Sequence, residues 1–475
     1  MKSLRVKRCG TAFVLLLLTV PLILALGSST PTVQAVPTST RTIHVGHSPD
    51  AVDVDPSLNL VYVANYGDNT VSVINGSTDE VMGTVAVGEY PDAVAVNPST
   101  RLVYVANLGD DNVSVIDESN SQVVTNVSVG DSPDAVAVDA ARNIVYVANQ
   151  DDNSVSVING STNAVIAAVP VGQGPDALAV DSSTGMVYVA NSYSNTISIL
   201  DESTNMVVAS IPVGDGPSGV AVDSATGLVY VTNFYDWTVS VINSSDRSVI
   251  TTITTVGAGP DAIALDKVTN ALYVTNFYNN TLSMMDGLSN VVVTNLTVGR
   301  GPTAVAVDPS TNVVFAADND SNSVSVADGL KRATQTFVIC PSSSVTIGES
   351  ISCSALIVGA SPSGQVSWGS TGVGSFVSTG ADSCQLSHDL CTVSWQPSTP
   401  VSSSPVEIIA TFMGDANNKG SSGEFQLNVN ATVSTTTVVG TPQSMTPILE
   451  GAGVAVVIAV VAAAIYVVRK RGNGR

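Results

Sequence analysis

The chain has 475 residues, of which 44% are hydrophobic, 5% aromatic and only 12% charged. Val, Thr, Ser, Asn, Asp and Gly dominate, a composition typical of strands and turns that predicts an all-β protein of more than one domain. Residues 36–450 hold nine Lys and Arg against 39 Asp and Glu, a net charge of about −30, which argues against nucleic acid as a partner.

The first 35 residues resemble a targeting segment rather than part of a fold. A basic stretch, "KSLRVKR" at 2–8, precedes the apolar run "TAFVLLLLTVPLILAL" at 11–26, and "VQA" at 33–35 has the small residues of a cleavage site. We therefore expect a secretory signal peptide over 1–35, with cleavage after Ala35.

A unit of about 42 residues is then repeated seven times. A proline opens each copy, and the successive intervals are 42, 42, 42, 42, 43 and 42 residues: Pro49, Pro91, Pro133, Pro175, Pro217, Pro260 and Pro302. An aromatic residue recurs at Tyr62, Tyr104, Tyr146, Tyr188, Tyr230, Tyr273 and Phe315. Such a period is typical of propellers, solenoids and other repeat architectures.

Each unit contains four strand-like runs. In the third unit they are "PDAVAVD", "IVYVAN", "SVSVI" and "AVIAAVPVG", separated by polar turns. Four antiparallel strands repeated seven times predict a seven-bladed β-propeller over 36–333; an open solenoid is the alternative. The run "TIHVG" at 42–46 matches a fourth strand and would complete the seventh blade. "TQTFVIC" at 334–340 could compete for that edge, but Cys340 favours placing it in the next domain.

The motifs "YVANYGDNTVSVI", "YVTNFYDWTVSVI" and "YVTNFYNNTLSMM" resemble the YVTN β-propeller repeats of archaeal and bacterial surface-layer-type proteins. The resemblance covers roughly 42–328 and implies a cell-surface propeller. The seventh repeat departs from it, with "FAADND" in place of the usual motif.

Two repeated positions have a structural interpretation. The aromatic residue lies mid-strand and is expected to pack between blades. The second strand ends in a short polar side chain that we expect to bond the following backbone and set the turn. These residues are Asn65, Asn107, Asn149, Asn191, Asn233, Asn276 and Asp318.

A set of carboxylates follows the repeat prolines, near the predicted central channel. They are Asp50, Asp92, Asp134, Asp176 and Asp261, with Ser218 and Thr303 in the remaining two repeats. Oxygen ligands suit Ca²⁺, so these five are candidate metal ligands, although the fold requires no cofactor. The alternative is that each Asp caps its own turn.

The same end of the predicted blades carries aromatic turns in units four to six. They contribute Tyr193, Phe234, Tyr235, Trp237, Phe277 and Tyr278, where the other units have polar turns such as "YGDN" and "QDDN". Exposed aromatic side chains on turns often mark binding sites, so these six are candidate binding residues. The alternative is that some tuck into neighbouring blades.

A second domain is expected over 334–430. Its cysteines, Cys340, Cys353, Cys384 and Cys391, predict two disulfides in an exported protein, and we favour Cys340–Cys353 and Cys384–Cys391 among three possible pairings. A metal site of four thiolates is the alternative. "FVICPSSSVTIGESISCSALI" and "GDANN" resemble bacterial and archaeal immunoglobulin-like surface domains, which implies a β-sandwich.

The C-terminal end predicts a membrane anchor. A Thr- and Ser-rich linker at 431–447 leads to an apolar segment at 448–468, and the basic tail "RKRGNGR" occupies 469–475. As a helix the segment would rise roughly 27–31 Å, enough to cross a bilayer core. Basic residues that follow a span stay in the cytoplasm, so the rest of the chain is expected outside.

Nine sequons predict glycosylation. They lie at Asn75, Asn112, Asn126, Asn159, Asn243, Asn279, Asn295, Asn319 and Asn430.

Catalysis finds little support in the sequence. The three histidines are His44, His47 and His388, and no nucleophile elbow, zinc motif or phosphate loop is present. The sequence therefore predicts a non-catalytic cell-surface protein, anchored in the plasma membrane, that acts in recognition, adhesion or envelope structure, with surface glycans or glycoproteins as partners. The alternative is an extracytoplasmic propeller enzyme of the lactonase or lyase kind.

Overall fold

A computed structural model describes residues 33–34, 40–377, 382–399 and 405–431. The predicted apolar segment at 448–468 and basic tail lie outside these ranges, as do the linker beyond residue 431 and the signal peptide apart from Val33–Gln34. Within them, no helix is long and apolar enough to cross a membrane. The chain divides into two compact units, one whose described part is 33–34, 40–332 and 415–419, and one whose described part is 333–377, 382–399, 405–414 and 420–431.

The larger unit is all-β and contains seven four-stranded antiparallel sheets, numbered here 1 to 7 along the chain. The first strands are Pro49–Asp55, Pro91–Asn97, Pro133–Asp139, Pro175–Asp181, Pro217–Asp223, Pro260–Asp266 and Pro302–Asp308. The second strands are Leu60–Asn65, Leu102–Asn107, Ile144–Asn149, Met186–Asn191, Leu228–Asn233, Ala271–Asn276 and Val313–Asp318. The third strands are Thr70–Asn75, Asn112–Asp117, Ser154–Asn159, Thr196–Asp201, Thr238–Asn243, Thr281–Asp286 and Ser323–Asp328. The fourth strands of sheets 1 to 6 are Glu80–Ala86, Gln122–Ser128, Ala164–Pro170, Met206–Pro212, Ser248–Ile253 and Val291–Thr297.

The N-terminal strand Arg41–His44 supplies the fourth strand of sheet 7 by pairing antiparallel with Ser323–Asp328. This is the closure that the repeat pattern predicts. Each first strand contacts the first strand of the next sheet, and that of sheet 7 contacts that of sheet 1. The sheets therefore form a closed, propeller-like ring. Outside the seven sheets, the short strand Val33–Gln34 pairs antiparallel with the short strand Lys331–Arg332.

Apolar packing between neighbouring sheets holds the ring together. The repeated aromatic side chains are at most 2% exposed and lie among the valines and isoleucines of adjacent sheets, as predicted. Fourth strands are mostly exposed, as in Glu80–Ala86, where only Val85 is buried. Burying each large side chain contributes about 1.5–3 kcal/mol, so the stability of the ring is spread over all its interfaces.

The asparagines that end the second strands bond differently from the prediction. The Asn65 side chain is fully buried, and its Oδ1 accepts a hydrogen bond from Gly46 N at 3.1 Å, nineteen residues earlier. Its Nδ2 donates to the hydroxyls of Thr70 and Ser72 at 3.0 and 2.9 Å. The expectation that it bonds the backbone just after it was wrong for Asn65, whereas Asn191 and Asn276 also donate to the backbone that follows, at Thr196 O and Thr281 O, 3.1 and 3.3 Å away. The Asn65 side chain thus connects the end of its own strand to the third strand and to the connection that leads into the first strand.

Sheet 7 has Asp318 where the other sheets have Asn, and this predicts a pH effect. Burial raises the pKa of Asp318 to about 6, and its Oδ2 accepts a hydrogen bond from the Ser325 hydroxyl at 2.8 Å. A raised carboxyl pKa gives stability that is present at low pH and lost as the pH rises through 6. We expect Asp318→Asn to stabilise the protein at pH 8 by about 1–3 kcal/mol, and by much less at pH 4.

The measurement is chemical denaturation of both proteins at the two pH values. Asn can donate to Ser325 as Asn276 donates to Ser283, at 2.8 Å, so the exchange changes charge rather than shape. Equal stabilisation at pH 4 and pH 8 would show that the carboxylate charge is not the cause.

The smaller unit contains two sheets. One orders its strands Gln335–Ile339, Ile351–Val358, Leu390–Pro397 and Gly374–Phe376, and the other Ser344–Thr346, Lys419–Asn430, Val406–Gly414, Gln365–Ser370 and Ser383–Gln385. Trp368, Trp395 and Phe412 form part of its core. Disulfides join Cys340 to Cys353 and Cys384 to Cys391, which confirms the predicted disulfides and excludes the four-thiolate metal site.

Candidate functional site

One end of the ring gathers two sets of loops, which we call the turn face. It consists of the turns between second and third strands and the connections that lead into each first strand. Backbone bonds join the two sets in each repeat; in sheet 1, Tyr66 N donates to Ser48 O at 2.9 Å and Gly67 N to His47 O at 3.0 Å. The aromatic turns and the residues after the repeat prolines therefore share one end of the molecule.

Glycines in the connections make room for the aromatic rings. Gly174, Gly216 and Gly259 have φ between +62° and +64°, and the rings of Tyr193, Tyr235 and Tyr278 lie against them. A Cβ at Gly174 would come within 2.6 Å of the Tyr193 ring.

Sheet 2 reverses this arrangement. Its connection carries Tyr90, and Gly109 occupies the position that Tyr193 has in sheet 4. In these repeats an aromatic ring occupies one of two facing positions and a glycine occupies the other. This exchange is visible when the sequences of the repeats are compared.

The aromatic residues of sheets 5 and 6 form a connected cluster. Phe234 contacts Tyr235, Phe277 and Tyr278 with ring centroids 5.3, 6.2 and 5.4 Å apart, and Phe277 contacts Tyr278 at 5.4 Å. Phe234 and Phe277 are half-buried and form the base of the cluster, whereas Tyr235 and Tyr278 are 68% and 58% exposed. Tyr193 is also exposed, at 66%. The structure therefore presents flat apolar rings to solvent on a packed aromatic base.

Trp237 occupies a position that six other repeats reserve for Asn or Asp. In those repeats the side-chain oxygen accepts a bond from the next connection, as Asn195 Oδ1 does from Gly216 N at 3.0 Å and Asn280 Oδ1 from Gly301 N at 2.9 Å. Trp237 cannot accept such a bond, yet it keeps the left-handed backbone, with φ +57°. That conformation is unfavourable for a bulky residue. The extra residue of the 43-residue interval also falls in the connection beside it, after Ser248–Ile253.

The five carboxyl groups after the repeat prolines come together at the central channel. Asp134 lies within hydrogen-bonding reach of both Asp92 and Asp176, and Asp92 also of Asp50. All five residues are half-buried. Burial, followed by interactions with neighbouring carboxyl groups, raises the pKa of Asp92, Asp176 and Asp261 well above the usual range.

The carboxyl ring is linked to the aromatic rim by side chains. Gln150 Nε2 donates to Asp134 Oδ2 at 2.7 Å, and Tyr193 Oη donates to Gln150 Oε1 at 3.1 Å. Asn319 Nδ2 donates to Asp50 Oδ1 at 3.1 Å. These partners lie in the turns between second and third strands, so the alternative that each Asp only caps its own turn finds no support in these bonds.

Ser218 and Thr303 fill the two ring positions without a carboxylate. Their hydroxyls donate to the carbonyl oxygens of Asp261 and Asp50 in the following sheet, at 2.9 and 3.0 Å. Sequence reasoning missed Asp53, where other repeats have Ala. Its Oδ2 accepts from Val96 N at 2.8 Å, and burial raises its pKa to about 6.

The ring does not have the geometry of a metal centre. Among the described residues, no group of three or more His, Cys, Asp or Glu side chains is placed to hold a metal ion. The raised pKa values of Asp92, Asp176 and Asp261 indicate that protons offset the mutual repulsion of these carboxylates when no cation is bound. The Ca²⁺ hypothesis stays a prediction without geometric support.

The sequons are placed at two kinds of position. Side chains of seven make hydrogen bonds within the unit; Asn75 and Asn159 each cap a turn by accepting from a backbone N–H at 2.9 Å, and Asn279 Oδ1 accepts from Ala258 N at 3.0 Å. Two others, Asn126 and Asn430, are exposed strand positions. These two are therefore exposed candidates for glycosylation.

The histidines are not gathered into a catalytic site. His47 Nδ1 pairs with Asp68 Oδ1 at 2.8 Å at the surface, His44 is exposed on the N-terminal strand, and His388 lies in the smaller unit. A cleft of 470 Å³ beside the N-terminal strand is lined by Thr40, Thr42, Ser325 and residues 295–299, none of them titratable. The exposed rings and the carboxyl channel are thus the distinctive chemistry of the larger unit.

Four-stranded sheets repeated around a closed ring, with their loops gathered on one face, define a β-propeller-like repeat protein. The model of the YNCE-like beta-propeller family matches residues 127–226 of this chain. Hydrazine synthase of Kuenenia stuttgartiensis is similar in structure, with a TM-score of 0.54 and 20% sequence identity, over 62% of this chain and 97% of that one. At that identity the likeness shows the fold alone. No curated protein matches the chain.

Proposed function

We propose that this protein is a non-catalytic cell-surface recognition protein, in which a seven-bladed propeller of the YVTN type binds envelope glycans or glycoproteins through its turn face. In this proposal the signal peptide exports the chain, the disulfide-bonded unit is an immunoglobulin-like spacer, and the apolar segment at 448–468 anchors it in the plasma membrane. The seven closed sheets, the cysteine pairs and the basic tail support this arrangement.

Trp237 is the observation that carries the proposal. Its position loses a hydrogen bond between sheets and holds a bulky residue in left-handed backbone, yet the side chain is 53% exposed rather than packed. Both features reduce stability, and strained positions of this kind concentrate at functional sites. A binding role would account for a tryptophan here, since it gains large contact area only when a ligand covers it.

The neighbouring rings favour a sugar as the ligand. Tyr235 and Tyr278 stand exposed on the rigid base of Phe234 and Phe277, so their faces are pre-oriented. Flat apolar rings stack on the apolar faces of sugars, while phenol hydroxyls and nearby carboxyl groups bond sugar hydroxyls. A pre-formed platform loses little conformational entropy on binding.

We expect Trp237→Ala combined with Tyr278→Ala to weaken binding of the full-length protein to envelope glycans at least tenfold, as loss of two aromatic anchors should. Tyr90→Ala is the matched control: Tyr90 is 45% exposed on the same face but stacks on Tyr66, at 5.0 Å, outside the cluster. Glycan-array binding followed by titration calorimetry measures the effect. A folded double variant that binds as tightly as wild type would exclude the aromatic site.

A further variant separates binding from folding. Trp237→Asn restores the side chain used in the other repeats, so we expect it to raise the melting temperature by roughly 2–4 °C while weakening glycan binding. The same titration in the presence of a chelator tests the Ca²⁺ hypothesis, because unchanged glycan binding would contradict a role for the cation.

A further inference from the structure

Two interfaces between sheets pair the aspartate that ends a first strand with a glutamate of the next sheet, and within the described residues only one of these two pairs has an ion-paired cation. Asp139 and Glu202 lie at the interface of sheets 3 and 4, and Arg142 Nη1 bridges them at 2.6 Å from Asp139 Oδ2 and 3.0 Å from Glu202 Oε2. Tyr146 Oη donates to Glu202 Oε1 at 3.1 Å. The guanidinium thus places a positive charge between two carboxylates that would otherwise repel each other.

The interface of sheets 1 and 2 repeats this arrangement without the arginine. Asp55, Tyr62 and Glu118 occupy the positions of Asp139, Tyr146 and Glu202, but Leu58 stands where Arg142 would be. Asp55 is fully buried and Glu118 is 8% exposed. The two sites therefore share their carboxylates and their phenol and differ at one side chain.

Hydrogen bonding at the second site is incomplete. Asp55 Oδ1 accepts from Ser57 N at 2.7 Å, but Asp55 Oδ2 and both Glu118 oxygens make no hydrogen bond of ordinary length within the described residues. Tyr62 and Asp55 both lie within hydrogen-bonding reach of Glu118, and Arg101 is exposed and makes no ion pair with Glu118 within the described residues. Buried carboxylate oxygens without partners are costly, so a cationic donor is the group they would accept.

We propose that the Asp55–Glu118 pair binds a guanidinium group from outside the repeat, the arginine side chain of a partner polypeptide, at the position that Arg142 fills in sheets 3 and 4. The guanidinium fork matches two carboxylates better than an ammonium does. Arg142 is 45% exposed and Leu58 38% exposed, so the position lies at the surface in both repeats, and a guanidinium reaches the buried carboxylates of Asp55 and Glu118 when the Leu58 side chain moves aside. The site lies at the end of the ring opposite the turn face, and the proposal does not rest on glycan recognition.

A proton competes for the same pair. Burial, followed by the charge of Asp55, raises the pKa of Glu118 to about 7, against smaller opposing contributions from Tyr62 and Arg101. Binding of a guanidinium should therefore be tighter at pH 8, where the pair carries two charges, than at pH 5, where a proton neutralises one.

The test uses methylguanidinium chloride as the probe and thermal unfolding of the full-length protein as one readout. At pH 8, 20 mM probe should raise the melting temperature of wild type by roughly 1–2 °C more than it raises that of Leu58→Arg, in which the chain supplies its own guanidinium. Methylammonium chloride at equal concentration controls for ionic strength. Titration by NMR reports binding directly, with Glu118→Gln expected to lose it.

Arg142→Leu provides a second, independent arm. It creates at Asp139 and Glu202 the arrangement of sheets 1 and 2, so this variant should bind a second equivalent of probe. An equal response of wild type and Leu58→Arg would overturn the proposal. A melting temperature that rises when the pH is lowered but does not respond to methylguanidinium would also overturn the proposal. It would indicate that Asp55 and Glu118 share a proton instead.

Discussion

Deletion of Arg41–Gly46 is expected to lower the melting temperature of the propeller-like ring by about 10 °C or more. Ile43 is 5% exposed and packs into the cluster between sheets 7 and 1, where its burial contributes about 1.5–3 kcal/mol. The strand also forms the hydrogen-bond ladder with Ser323–Asp328, and each net bond contributes about 0.5–1.5 kcal/mol. Removing it leaves Val324 and Val326 on an unpaired edge.

Scanning calorimetry of the full-length protein measures this effect. Arg41→Gln is the matched control, since it breaks only the exposed ion pair with Asp79 and should cost at most about 1 kcal/mol. Ile43→Thr should fall between the two, because it keeps the ladder and loses the packing. A deletion variant that melts like wild type would refute closure by the N-terminal strand.

Arg332→Met is expected to destabilise the larger unit by about 3–5 kcal/mol, because it leaves a buried carboxylate without its cation. Arg332 is 3% exposed, and its Nη1 donates to Asp286 Oδ1 at 2.9 Å. Its Nη2 donates to Asn270 O at 2.9 Å and its Nε to Thr269 O. One guanidinium thus pairs with a buried carboxylate and bonds two carbonyl groups, all in sheet 6.

Urea denaturation compares this variant with two others. Adding Asp286→Asn should recover part of the loss, since it removes the unpaired charge but keeps an oxygen for Leu288 N. Arg247→Met is the control on an exposed arginine and should change stability by less than about 0.5 kcal/mol. A loss in Arg332→Met no larger than that in Arg247→Met would contradict the role of the buried pair.

Local patterns in the sequence were sufficient to predict the strands, the closing strand and the disulfide pairs. The alternation of apolar and polar residues and the choice of turn residues depend only on a few neighbouring positions, and the chain shows the same pattern in seven repeats. The match of "TIHVG" to the other fourth strands predicted the pairing of Arg41–His44 because register follows from side-chain alternation. Cysteines that flank hairpins left few plausible pairings.

Contacts between sheets could not be predicted in the same way. Asn65 was expected to bond nearby backbone, but its partner Gly46 is brought near only by the ring. Asp55 and Glu118 come from different repeats, so their pairing depends on how two sheets pack. The sequence did contain one unused signal: Asp53 and Leu58 each break the repeat, and each marks a site with unusual chemistry.

The closing strand also determines when the ring can form during synthesis. Ser48 N and its partner Asn322 Oδ1 are separated by 274 residues, so the N-terminal strand of sheet 7 waits for the seventh repeat to leave the ribosome. At a synthesis rate of roughly 5–20 residues per second, that wait is about 14–55 seconds. During that time the sheets can form one by one, but Arg41–His44 has no partner and both ends of the array stay open. The nascent chain is then most exposed to aggregation and proteolysis, and its completion coincides with the arrival of the seventh repeat.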